Sequence, residues 1–205
     1  ALRATDMLRT LSWSSIGQLG LIFIAFSISG ETGLLAGMAL LLHHLLVKPA
    51  MFLIADKWSG QLQQLKGAAQ SSPLGAALFV LFVLSLLGVP PLPGFWAKYL
   101  LITGLAGVGD TLALTAIAIV LIMTVVEATY LFRIVSLLYQ RAEPRQLPLA
   151  QRPLELGLAS LIGVLLLIGV WQIQPLSASL QGVAQQAADK PMIIQTVMQS
   201  HGGSR

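Results

Sequence analysis

The 205-residue chain has no cysteine, and only 10% of its residues are charged. Without cysteine it can form no structural disulfide and no thiolate-held zinc, iron–sulfur or c-type haem site, so the sequence implies no cofactor and any redox chemistry belongs to a partner. A soluble domain carries roughly 25% charged residues; with so few, this chain cannot cover a water-facing surface. Basic runs are missing too: the 12 lysines and arginines, set against 8 acidic residues, sit singly and mostly at the ends of apolar segments. Nucleic acid is therefore excluded as a partner. The three histidines gain no support from a further ligand, so no metal site is expected. The start "ALRATDMLRT" shows neither an initiator methionine nor the n- and h-regions of a signal peptide, which predicts a piece of something longer.

What is present is apolar: 56% of the residues are hydrophobic, in runs that reach the roughly 20 residues of a bilayer-crossing helix. The lipid bilayer is the expected solvent. Apolar segments cover residues 11–29, 33–55, 73–107, 111–139 and 154–171. The third is too long for one straight span and is interrupted by "GVPPLPG" at 88–94, where Pro90, Pro91 and Pro93 remove backbone donors and Gly94 adds freedom. Either two short helices form a hairpin there, or two half-helices share one crossing. Charge favours the second. With one crossing, Arg3, Arg9, Lys57, Lys66, Arg141, Arg145 and Arg152 fall on one side, and Glu31 and Asp110 on the other. The positive-inside rule then puts the N-terminal end in the cytoplasm and the C-terminal tail outside. The expected fold is an all-α integral membrane protein with five transmembrane crossings, the third discontinuous. Its parts are a cytoplasmic lead-in (1–10), a membrane bundle (11–139), a cytoplasmic loop (140–153), a terminal transmembrane helix (154–171) and a polar or amphipathic outer tail (172–205). That tail reads as an interfacial segment or a dock for another subunit, with His201 near a glycine–serine end.

Several residues do not suit lipid. His43 and His44 lie about 15–17 Å along the helix axis from residue 33, near mid-bilayer, and Lys48 follows one turn below His44 on the same face. Pro49 leaves the Leu45 carbonyl without its helical donor, beside the lysine. Lys98 follows the proline break and Glu127 lies inside the fourth span. A charge at a membrane-helix centre costs about 2.5–3.5 kcal/mol on insertion scales, so such residues read as functional and paired. Simpler readings are that either lysine snorkels to an interface and that Glu127 is merely the ion-pair partner of Lys98 or Lys48. His43 and His44 point about 100° apart: His44 suits a proton-carrying line with Lys48, and His43 suits either that line or packing. Lys48 and His44 would need cover from a second bundle. Ser14 and Gln18, with Gly17 and Gly20, read as packing contacts between helices. The glycine-rich 104–109 stretch follows no strand and is no phosphate loop.

"TDMLRTLSWSSIGQLG", "LLHHLLVKPAMFLIA" and "LLGVPPLPGFWAKYLLI", in this order, resemble the second half of the proton-translocating subunits shared by respiratory complex I, energy-converting hydrogenases and Mrp cation/proton antiporters. The "HHLLVK" stretch is most similar to the Mrp D subunit, whereas "VVEATYLFR" is more similar to hydrogenase-linked members. Leu8 and Pro49 depart from the usual pattern. The resemblance implies one antiporter-like five-helix repeat, four of its crossings clearly visible, plus a terminal helix. It makes Lys48 the lysine of the central hydrophilic axis, His44 the histidine one turn before it, and Lys98 the lysine of the broken helix at the outer exit. It also implies a first repeat supplied by another chain or segment, other membrane subunits as partners, and a bacterial or archaeal cytoplasmic membrane. The expected function is proton conduction, alone or in exchange for a cation, through Lys48, His44, Lys98, Glu127 and His43, with no catalysis on this chain alone. The alternatives are a non-conducting membrane anchor of a redox complex, and a subunit for inorganic carbon uptake driven by a proton gradient.

Overall fold

The computed structural model describes residues 1–58, 61–141 and 153–171. Helix α1 spans Met7–Ser27, starting a turn before the apolar run because Asp6 caps it. The Asp6 carboxylate accepts a hydrogen bond from the Arg9 amide at 2.9 Å, satisfying one of the amides that a helix start leaves without a partner. A bend through Gly30, at φ 85°, leads into α2, Glu31–Lys57. The two helices close tightly at this bend. A Cβ on Gly33 would overlap the Ile28 carbonyl, and one on Gly37 would meet the Phe26 ring at 2.6 Å. Helix α2 continues through Pro49 although that residue has no N–H to give to Leu45. At the far end, the Leu62 amide donates to the Thr5 carbonyl at 2.7 Å. Arg3, Arg9 and Lys66 therefore sit at the same end of the molecule.

A 3-10 turn (Leu62–Leu65) and a one-turn helix α3 (Ala68–Ser71) precede α4, Pro73–Leu87. Then follow α5 (Pro93–Val108), α6 (Thr111–Tyr139) and α7 (Pro153–Trp171). Proline opens α4 and α5, where its missing N–H costs nothing. Asp110 caps α6 by accepting from the Ala113 amide at 2.6 Å. Helix α4 ends because Gly88 turns left-handed, at φ 82°. The Gly88 amide donates to the Ser85 carbonyl at 3.1 Å and the Val89 amide to the Leu84 carbonyl at 3.0 Å, which is the Schellman pattern of helix termination. Pro90 and Pro91 occupy the turn that follows, closed by the Leu92 amide on the Val89 carbonyl at 3.0 Å. Pro93 and Gly94 stand in the first turn of α5.

Packing divides the interior into two apolar cores. One joins Met7 and Leu11 of α1 to Val47 and Met51 of α2, Phe79 and Phe82 of α4, Leu131 and Ile134 of α6, and Leu166 of α7. The other joins Leu21 and Ile22 of α1 to Ala36 and Leu40 of α2, Leu101 and Leu105 of α5, and Ala113 and Val120 of α6. Helices α1, α2 and α6 run through both cores, whereas α4 belongs to the first and α5 to the second.

Met7–Ser27, Glu31–Asp56, Thr111–Tyr139 and Pro153–Val170 are long and apolar enough to cross a membrane. At 15 and 16 residues, α4 and α5 each fall short of the roughly 20 a straight crossing needs. Large apolar side chains cover the outside, among them Phe23, Leu112, Ile122, Val125, Leu154 and Leu161. With helices joined by turns, and no strand pairing among the described residues beyond one isolated bridge between Asp6 and Gln61, the chain is an all-α integral membrane protein. Residues 142–152 of the expected polar loop, with Arg145 and Arg152, and the expected outer tail, with His201, lie outside the described residues.

Candidate functional site

Most of the buried polar side chains gather in the gap between the two cores. On α1, Ser14 and Gln18 are one turn apart and share a face. Facing them are His43 and Lys48 of α2, Ser85 at the end of α4, Lys98 at the start of α5, and Glu127 of α6. Lys48, Lys98 and Glu127 are only 3%, 7% and 5% exposed. Helices α1, α2 and α6 contribute where they pass from one core to the other, and α4 and α5 contribute from the ends that meet between the cores, so one polar layer forms from residues far apart in sequence.

Glu127 is the centre of this layer. Its Oε1 accepts from Ser14 Oγ at 2.8 Å and from the Tyr130 hydroxyl at 3.4 Å, and its Oε2 accepts from Gln18 Nε2 at 2.6 Å. Lys98 Nζ stands 3.8 Å from Oε2, an ion pair longer than a direct hydrogen bond. The Lys98 amine also donates to the Leu87 carbonyl at 3.4 Å and to Thr124 Oγ1 at 3.3 Å. The Leu87 carbonyl is one of those left over where α4 stops, at the negative end of that helix. The break in the chain thus supplies an acceptor for the lysine that follows it. Gly88 fits closely here, because a Cβ would approach Lys98 Cδ to 3.2 Å.

Lys48 reaches α1 and donates to Ser14 Oγ at 2.6 Å and to the Leu11 carbonyl at 3.5 Å. It departs from one expectation: it does not need a second bundle to keep it from lipid, because α1 packs over that face. His44 is different. It is half-buried between the exposed Leu42, Leu45 and Leu46, and its Nδ1 is shielded without a hydrogen-bond partner among the described residues. His43 is the histidine turned inward, its Nε2 2.8 Å from Ser85 Oγ. A Cβ on Gly94 would meet His43 Cε1 at 2.9 Å and overlap the Ser85 carbonyl, so α2, α4 and α5 converge on His43 at the helix break.

The structure therefore brings Lys48, Glu127 and Lys98 into one connected set, places His43 beside the break, and leaves His44 at the edge. Ser14 and Gln18, read from sequence as packing contacts, are ligands of the carboxylate. Their i, i+4 spacing puts them on one face of α1 but does not show what that face meets. Ser85 and Thr124 gave no signal, since single hydroxyls are common in apolar helices. Among the described residues, no group of three or more histidine, aspartate and glutamate side chains could hold a metal ion.

Residues 1–126 match the family model described as NADH:quinone oxidoreductase/Mrp antiporter, TM. The chain is 30% identical over 185 residues to NADH-quinone oxidoreductase subunit N of Desulforudis audaxviator, a match covering 83% of this chain and 36% of that protein. Among solved structures it resembles a chain of respiratory complex I from Thermus thermophilus with bound aureothin, with a TM-score of 0.72 and 28% identity over 87% of this chain and 41% of that one. It also resembles a chain of the membrane-bound sulfane sulfur reductase, an archaeal respiratory membrane complex, with a TM-score of 0.80 and 26% identity over 91% of this chain and 38% of that one. The chain spans about a third of the length of the curated relatives it matches.

Proposed function

The chain belongs to the NADH:quinone oxidoreductase/Mrp antiporter transmembrane family, and on that premise we propose that it conducts protons across a membrane, alone or in exchange for a cation, within a complex I-like or Mrp-like assembly. One observation carries this reading: Lys48, Glu127 and Lys98 share a single buried layer between two apolar cores. Two amines there share one carboxylate. With all three ionised the layer holds an uncompensated positive charge, and releasing one proton removes it. Burying unpaired charge is costly, so the set is suited to exchange a proton with either side.

Supporting details extend the proposal. Packing of α4 in one core and α5 in the other fits a single crossing interrupted at the polar layer, giving five crossings in all. Arg3, Arg9 and Lys66 gather at one end while Glu31 and Asp110 belong to the turns at the other, which fits an N-terminal end in the cytoplasm. His44, one turn from Lys48 and with Nδ1 unpartnered among the described residues, is suited to pass protons from a covering first repeat. His43, beside the break, is suited to the path around α5.

Vesicles reconstituted with the intact complex test this: Lys98→Met should assemble and lose proton flux. Wild-type flux from the assembled variant would leave a membrane anchor, the reading favoured by how fully the Glu127 oxygens are already engaged.

A further inference from the structure

Serines 12, 14 and 15 stand close together on α1, and two of them turn back onto their own helix. Ser12 Oγ donates to the Leu8 carbonyl at 2.9 Å and Ser15 Oγ to the Leu11 carbonyl at 3.1 Å, a common arrangement for serine inside a helix. Ser14 is used otherwise. Buried at 1% exposure, its hydroxyl stands between ionisable groups of two other helices, accepting from Lys48 Nζ at 2.6 Å and donating to Glu127 Oε1 at 2.8 Å. Chemistry forces that polarity, since an ammonium has no lone pair to offer and an ionised carboxylate no proton. Among the described residues the carboxylate's ion pair is with Lys98, so Lys48 meets it through this hydroxyl.

We infer that the Ser14 hydroxyl passes protons between Lys48 and Glu127, an inference that rests on proton conduction through the layer. In the step, an N–H bond of Lys48 breaks as its proton joins Ser14 Oγ, while the hydroxyl's own proton leaves for Glu127 Oε1. Lys48 becomes a neutral amine, Glu127 a neutral acid, and Ser14 keeps one proton. That proton now faces Lys48. The hydroxyl must rotate about its Cβ–Oγ bond before a second proton can follow, so protons cross this point singly. Gln18 is a positioning residue: its amide on Oε2 at 2.6 Å keeps Oε1 turned toward Ser14.

The test compares proton flux in vesicles holding the intact complex with Ser14→Ala, Ser14→Thr, Glu127→Gln, Lys98→Met or the Ser14→Ala/Glu127→Gln pair, each checked for assembly. Ser14→Ala is expected to lower flux about tenfold or more, below the range for a well-placed proton-transfer group because water can enter the space left behind. Ser14→Thr keeps the hydroxyl and should recover most of the flux. The pair should be little worse than Glu127→Gln alone, since both changes act on one step. Full flux from Ser14→Ala beside lost flux from Lys98→Met overturns the bridge and leaves conduction standing; full flux from Lys98→Met overturns both. An assembled Ser14→Thr variant as slow as Ser14→Ala overturns the bridge. Independent, additive losses in the pair overturn it as well, even if the threonine variant does not assemble.

Discussion

Gly94, in the first turn of α5, lies so close to the Ser85 carbonyl of α4 that no side chain fits between them. The end of one helix and the start of the next are thereby held against each other and against the His43 ring, at the level of the buried lysines.

Replacing Gly94 with alanine should loosen this junction. The new methyl group would overlap a backbone carbonyl, which cannot move aside as a flexible side chain can, and overpacking of this kind costs about 3 kcal/mol or more. Thermal unfolding of the purified complex should begin at lower temperature. An unchanged transition would mean that α5 can shift away from α4 freely.

Lys98→Arg should keep the charge and lose most of the conduction, because a guanidinium does not give up its proton. Glu127→Gln should also slow conduction, by removing the acceptor shared by Ser14 and Lys98. Flux measured alongside assembly decides both; an arginine variant as fast as wild type would show that Lys98 serves only as a fixed charge.

The absence of cysteine makes topology simple to measure. Single cysteines at Gln63 and Gly109 should react with impermeant reagents from opposite faces of the membrane, as five crossings with an interrupted third require. Reaction from one face would make α4 and α5 a hairpin.

The adjacent histidines should separate. His43→Leu removes the Ser85 hydroxyl partner in a fully buried setting and should destabilise the complex by about 1–3 kcal/mol. His44→Leu removes a ring whose Nδ1 has no partner among the described residues, so stability should change by about 0.5 kcal/mol or less while proton flux falls. Equal losses of stability would show that His44 is held by contacts of its own.

Composition and periodicity were enough to place this chain in lipid. Few charges and long apolar runs leave no soluble alternative, and three prolines between glycines forbid continuous helix through residues 88–94. Lys48, Lys98 and Glu127 were legible for the same reason: an ionisable residue inside an apolar helix is too costly to be incidental. Their partners were not legible. Which amine lies next to Glu127, which of two adjacent histidines turns inward, and which of three nearby serines leaves its own helix all depend on rotations of one helix against another. Those rotations are fixed by the packing of two apolar cores, made from residues up to the length of the bundle apart, and sequence spacing within a single helix carries no record of them.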